Sequence, residues 1–106
     1  VHATFKKYST SIGNDVSIGH NAIIHGCRID DFVLIGMGSI IMDNSKISSN
    51  TIIASGSVIK ENTLVEPNSI YGGVPAKKIK SISDSKSKEE IERIAKNYII
   101  YSSWYK

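Results

Sequence analysis

Ile35-Gly36-Met37-Gly38-Ser39-Ile40, Ile41-Met42-Asp43-Asn44-Ser45-Lys46, Ile47-Ser48-Ser49-Asn50-Thr51-Ile52 and Ile53-Ala54-Ser55-Gly56-Ser57-Val58 are successive units of six, each opened by isoleucine. The register extends outward in both directions. Toward the N-terminus the openers are Ile29, Ile18 and Ile12; toward the C-terminus they are Ile59 and Val65. Four places after the openers stand Val16, Ala22, Val33, Ser39, Ser45, Thr51, Ser57, Thr63 and Ser69, all small or β-branched. Gly follows the opener at Gly13, Gly19 and Gly36. One unit, Ile24-His25-Gly26-Cys27-Arg28, is a residue short.

A period of six is neither the 3.6 of a helix nor the two of a simple amphipathic strand. It fits one flat side of a triangular coil, in which the opener points inward and the small residue sits at a crowded corner. Three sides make a turn of about 18 residues, and turns stack at the ordinary inter-strand spacing of about 4.8 Å. The expected fold is all-β: a single-stranded, left-handed parallel β-helix over residues 1–80. A conventional β-sandwich is disfavoured because Asn-Gly and Asp-Gly hairpin pairs are missing from the sequence.

The pattern fades after Ile70. Tyr71-Gly72-Gly73-Val74-Pro75-Ala76 reads as an exit turn. A lysine- and serine-rich connector is expected next, then a capping box at Ser87-Lys88-Glu89-Glu90. Ile91, Ile94, Ala95 and Tyr98 follow at helical spacing. The expectation is a helix from about Lys88 to about Tyr101, within a C-terminal unit 81–106 that packs on an outer side of the coil. The first residues already read as mid-coil and Val1 is not methionine, so further turns are expected upstream.

Isoleucine is abundant and aromatic residues make up only 8% of the chain, which suits thin, regular layers. No apolar run approaches the roughly 20 residues of a membrane span. The net charge of +3 comes largely from Lys77, Lys78, Lys80, Lys86 and Lys88. No aromatic platform accompanies them, so they read as a solvated connector and not as a nucleic-acid patch. Cys27 is the single cysteine, which excludes an intrachain disulfide and fits a cytoplasmic setting. It reads as a packing residue, as do Met37 and Met42, although Met37 is also placed to line an apolar pocket.

The three histidines, His2, His20 and His25, all lie in the first quarter of the chain. Five extended residues span about 16 Å, so His20 and His25 of one chain cannot easily share an ion. His2 and His25 can, if about five residues around Phe5-Lys6-Lys7-Tyr8-Ser9-Thr10 bulge out and leave them one turn apart. The third ligand, His20, then comes from a neighbouring copy in a threefold assembly. Three neutral imidazoles with an open fourth position describe a catalytic site. Zn²⁺ there lowers the pKa of its water to about 7.

Ile18-Gly19-His20-Asn21-Ala22-Ile23-Ile24-His25-Gly26-Cys27 and Val33-Leu34-Ile35-Gly36-Met37-Gly38-Ser39-Ile40 resemble the gamma-class carbonic anhydrase family. Val1-His2-Ala3 is similar to the strand carrying that family's first histidine, and Gly72-Gly73-Val74-Pro75-Ala76-Lys77 to its coil exit. The resemblance implies a left-handed β-helix homotrimer whose Zn²⁺, or Fe²⁺ or Co²⁺, is held between subunits by His2, His20 and His25. It implies reversible hydration of carbon dioxide to bicarbonate by a metal-bound hydroxide at the trimer interface. It also places Tyr98 and Asn97 near the metal as catalytic residues. The family's further Arg, Gln and acidic groups precede its first histidine, so this chain offers no match for them, and activity is expected to be weak or lost without upstream residues. Two alternatives remain: a metal-binding trimeric scaffold without catalysis, and an acyltransferase that uses an acyl-CoA donor with His20 or His25 as general base.

Overall fold

A computed structural model describes residues 9–82, together with Glu89, Ile91 and Arg93. Short strands succeed one another around a three-sided coil. The first side stacks β1 (Ser11–Ile12), β4 (Arg28–Ile29), β7 (Lys46–Ile47) and β10 (Leu64–Val65). The second stacks β2 (Val16–Ile18), β5 (Val33–Ile35), β8 (Thr51–Ile53) and β11 (Ser69–Gly73). The third stacks β3 (Ile23–Ile24), β6 (Ile40–Ile41) and β9 (Val58–Ile59). Within each side the pairing is parallel. The six-residue reading is therefore correct as a parallel β-helix.

The openers form the interior. Ile12, Ile29, Ile47 and Val65 stack in one ladder, Ile18, Ile35, Ile53 and Tyr71 in a second, and Ile24, Ile41 and Ile59 in a third. From Ile24 onward these side chains are buried, and Ile35, Ile41, Ile47, Ile53, Ile59 and Val65 are fully so. Each such isoleucine contributes on the order of 1.5–3 kcal/mol by leaving water. Tyr71 closes its ladder, and its hydroxyl accepts a hydrogen bond from the Glu66 backbone N–H at 3.2 Å.

The small residues turn the corners. Ser39, Ser45, Thr51, Ser57 and Ser69 are buried. Ser45, Thr51, Ser57 and Thr63 each donate to the carbonyl three residues back, at 2.6–2.7 Å. The residue just before each small one has positive φ: Asp15, Asn21, Phe32, Gly38, Asn44, Asn50, Gly56, Asn62 and Asn68. Asn and Gly tolerate this left-handed backbone better than other residues. This second register, three places after each opener, is a signal the six-residue reading passed over.

The short unit leaves its mark on the pitch. Ser11 pairs with Arg28, a step of 17, whereas Arg28 pairs with Lys46, a step of 18. After the coil, β11 turns back through Val74-Pro75 into β12 (Ala76–Ser81), which pairs with it antiparallel. Lys77, Lys78 and Lys80 thus lie in an edge strand where a connector was expected. Charged residues suit an exposed strand edge.

The outer surfaces of the three sides differ. The first is polar: the Arg28 guanidinium lies 3.1 Å and the Lys46 ammonium 3.9 Å from the Asp30 carboxylate. The second carries Leu34 and Ile52, which pack with Ile91 in a buried cluster against Ile70 and Ile82. Ile91, Glu89 and Arg93 are helical, and Ile91 is buried against this side. The remainder of the expected helix falls outside the described residues. The third side presents Ile23, 45% exposed, with half-buried Ile40 and Val58. Among the described residues nothing covers it as Ile91 covers the second side.

Candidate metal centre

The two described histidines flank this third side. His20 follows Gly19 at the corner that leads into β3, and His25 follows β3 directly. Left-handed residues, Asn21 and Gly26, turn the chain just after each of them. Gly19 is glycine for a steric reason: a Cβ there would stand 2.6 Å from the Met37 backbone nitrogen. The coil can stack closely under His20 only without that side chain.

Both imidazoles are half-buried. His25 lines a shallow concave patch with Ile23, Ile40, Met42, Asp43 and Glu61. Ile23, Ile40 and Met42 make the patch apolar, and Asp43 and Glu61 add two carboxylates to its lining. The methionine in this patch is Met42; Met37 is 41% exposed and belongs to the His20 corner. Sequence reasoning missed Asp43, Glu61 and the exposed Ile23. Stacking register was the available signal, because His25 stands over Met42 and Gly26 over Asp43.

Cys27 occupies the small position of the short unit and is 3% exposed. Burial pushes its thiol up to about 11, and the nearby Asp43 charge adds to the rise, with a backbone hydrogen bond opposing both. A thiol so protonated is a poor nucleophile at neutral pH. The packing reading of Cys27 stands.

Among the described residues, no three His, Cys, Asp or Glu side chains converge on one point. His20 and His25 are held on separate corners, as their spacing demanded. His2, Asn97 and Tyr98 lie outside the described residues. The donor type fits a borderline metal such as zinc, since both are half-buried imidazoles at the margins of a face left uncovered among the described residues, although the His20 Nε2 is itself buried.

Residues 26–61 match the family of bacterial transferase hexapeptide repeats. A protein of Methanocaldococcus jannaschii named as a probable carbonic anhydrase is 48% identical over 101 residues, covering 95% of this chain and 60% of that protein. Gamma carbonic anhydrase 2 of Arabidopsis thaliana mitochondria is 37% identical over 97 residues, covering 89% of this chain and 34% of the relative. A solved Bacillus cereus structure, provisionally assigned as an acetyltransferase, superposes with a TM-score of 0.83 at 34% identity, covering 98% of this chain and 59% of that one. The chain thus spans from about a third to three fifths of the length of these proteins.

Proposed function

We propose, for a chain that belongs to the hexapeptide-repeat proteins and is similar over most of its length to gamma carbonic anhydrases, that it supplies the metal-binding half-sites of a trimeric carbon dioxide hydratase. The observation that carries this reading is the placement of His20 and His25 at opposite margins of the one apolar side left uncovered among the described residues. A copy docked on that side brings its own histidine corner to the other's. His2 and His25 of one chain and His20 of the next would hold the ion. Zn²⁺, Fe²⁺ or Co²⁺ in such a set acts as a Lewis acid that makes hydroxide available near neutral pH for attack on a small electrophilic carbon.

The chain's own residues have separate tasks. Neutral imidazoles leave the positive charge of the site uncompensated, which favours the anionic nucleophile. Ile23, Ile40 and Met42 form an apolar wall beside His25 that suits an uncharged linear molecule. Bicarbonate, being charged, gains little from that wall, which helps it leave.

The test uses the full-length protein that carries this chain. Stopped-flow hydration of carbon dioxide is expected to require metal and to be lost in His25→Ala. Activity that survives both chelation and this substitution contradicts the proposal. The Bacillus cereus likeness favours a second reading, an acyltransferase with a histidine general base. That reading expects acetyl-CoA-dependent thiol release indifferent to chelators. A trimer that binds metal without either activity would instead be the scaffold form of the same assembly.

A further inference from the structure

The short unit loses its residue at the corner between the third and first sides. The Asn44 N–H donates to the Gly26 carbonyl at 2.9 Å, which sets Gly26 over Asp43. The Arg28 N–H donates to the Ser45 carbonyl at 3.0 Å and Arg28 pairs with Lys46, which sets Cys27 over Ser45. Two consecutive residues above, Gly26 and Cys27, therefore span three below, and Asn44 has no counterpart. One turn further on the register is regular, and the Asn44 Nδ2 donates to the Asn62 Oδ1 at 2.7 Å. A concavity of about 390 Å³ lies at this skipped position. Gly26, Cys27 and Arg28 line it from one turn, Asn44, Ser45 and Lys46 from the next, and Ser9 from the turn before.

The geometry points to this notch as a binding site for an oxyanion of the phosphate or bicarbonate type, held by Arg28 and Lys46. Among the described residues its lining contains two cations and no carboxylate, whereas Asp43 and Glu61 line the patch on the other flank of the corner. Arg28 and Lys46 are directly opposite one another in register, an arrangement of like charges that costs stability. Asp30 answers both, at 3.1 Å from the Arg28 Nε and 3.9 Å from the Lys46 Nζ, which leaves one positive charge in surplus. The Arg28 contact uses Nε, so the terminal amino groups of its planar fork are available to an oxyanion. The Ser45 hydroxyl is committed to the Met42 carbonyl and the Asn44 amide to Asn62, so neither competes for this role. Asp43 is near enough to act on Cys27 and works against an anion, which is why both cations are needed. The site is independent of the proposed metal centre.

The experiment titrates the full-length protein with inorganic phosphate and, separately, with bicarbonate, by calorimetry at low and high salt. Saturable binding that weakens with salt is expected. Arg28→Gln and Lys46→Gln are each expected to weaken it by about tenfold, and Asp30→Asn to tighten it. His25→Ala is expected to leave it unchanged, which separates the notch from the metal centre. Insertion of an asparagine between Gly26 and Cys27 restores the full unit and keeps both cations; it is expected to abolish binding. Tighter binding of phosphate identifies a phosphate-bearing occupant, and tighter binding of bicarbonate identifies the anion of the proposed reaction. Absence of saturable binding by either anion overturns the inference. So does binding lost in His25→Ala but kept in Arg28→Gln, which places the anion on the metal. Equal losses in Lys46→Gln and in Lys60→Gln, a lysine outside the lining, overturn it as well, since they report net charge and not the notch.

Discussion

Phe32 sits at a corner with φ of 55°, where the equivalent positions hold Asp15, Asn50 and Asn68. A bulky side chain in this region costs roughly 1–2 kcal/mol. Phe32→Asn is therefore expected to stabilise the chain by about 0.5–1 kcal/mol, read as a shift in urea midpoint. A loss above about 1 kcal/mol would show that contacts of the half-buried ring outweigh the backbone strain. At Cys27 the unfolded thiol ionises near 9.0 while the folded one holds its proton to about 11. Between those values the unfolded chain binds fewer protons, so stability falls as pH rises through this window and is insensitive to the thiol below it. Urea midpoints at neutral pH and near pH 10 should fall further apart in the wild type than in Cys27→Ala. An identical drop in both would remove Cys27 from the alkaline response.

At the scale of strands and corners, two glycines separated by one residue do different work. A Cβ on Gly36 would lie 2.4 Å from the Ser55 nitrogen and 2.7 Å from the Ile53 carbonyl oxygen, which are backbone atoms that cannot yield. Gly38 has φ of 70° and nothing within 4 Å of the same position. Gly36→Ala should then cost about 1–3 kcal/mol. Gly38→Asn, which copies Asn44 and Asn62 at another corner, should change the metal-free chain by less than about 0.5 kcal/mol. Thermal melts of the two variants check the contrast, and a reversed order would refute the corner assignment. The openers were legible from sequence because an inward isoleucine is demanded once per side, with no exception from Ile29 to Ile59. The antiparallel β12 was not legible. Lys77, Lys78 and Lys80 look alike on a solvated connector and on an exposed edge strand, and only pairing with β11 separates the two. The left-handed corner register escaped notice because Asn and Gly mark turns of every kind.

For the whole molecule, the three sides have three fates. Arg28, Asp30 and Lys46 suit water, Leu34 and Ile52 are covered by Ile91, and Ile23, Ile40 and Val58 have no such cover among the described residues. The histidines lie on the margins of the last. Half of the candidate centre could be read from spacing, because five residues of a stiff coil cannot bring His20 and His25 around one ion. The contribution of a second copy is a property of an assembly, and one chain's sequence carries only its outline in the uncovered face. Native mass spectrometry of the full-length protein after Zn²⁺ loading tests this claim most directly. The account predicts a trimer with one ion per chain, and in His20→Ala a species without tightly bound metal. A monomer that holds one ion with full affinity, or a trimer whose metal content is unaffected by His20→Ala, would contradict it.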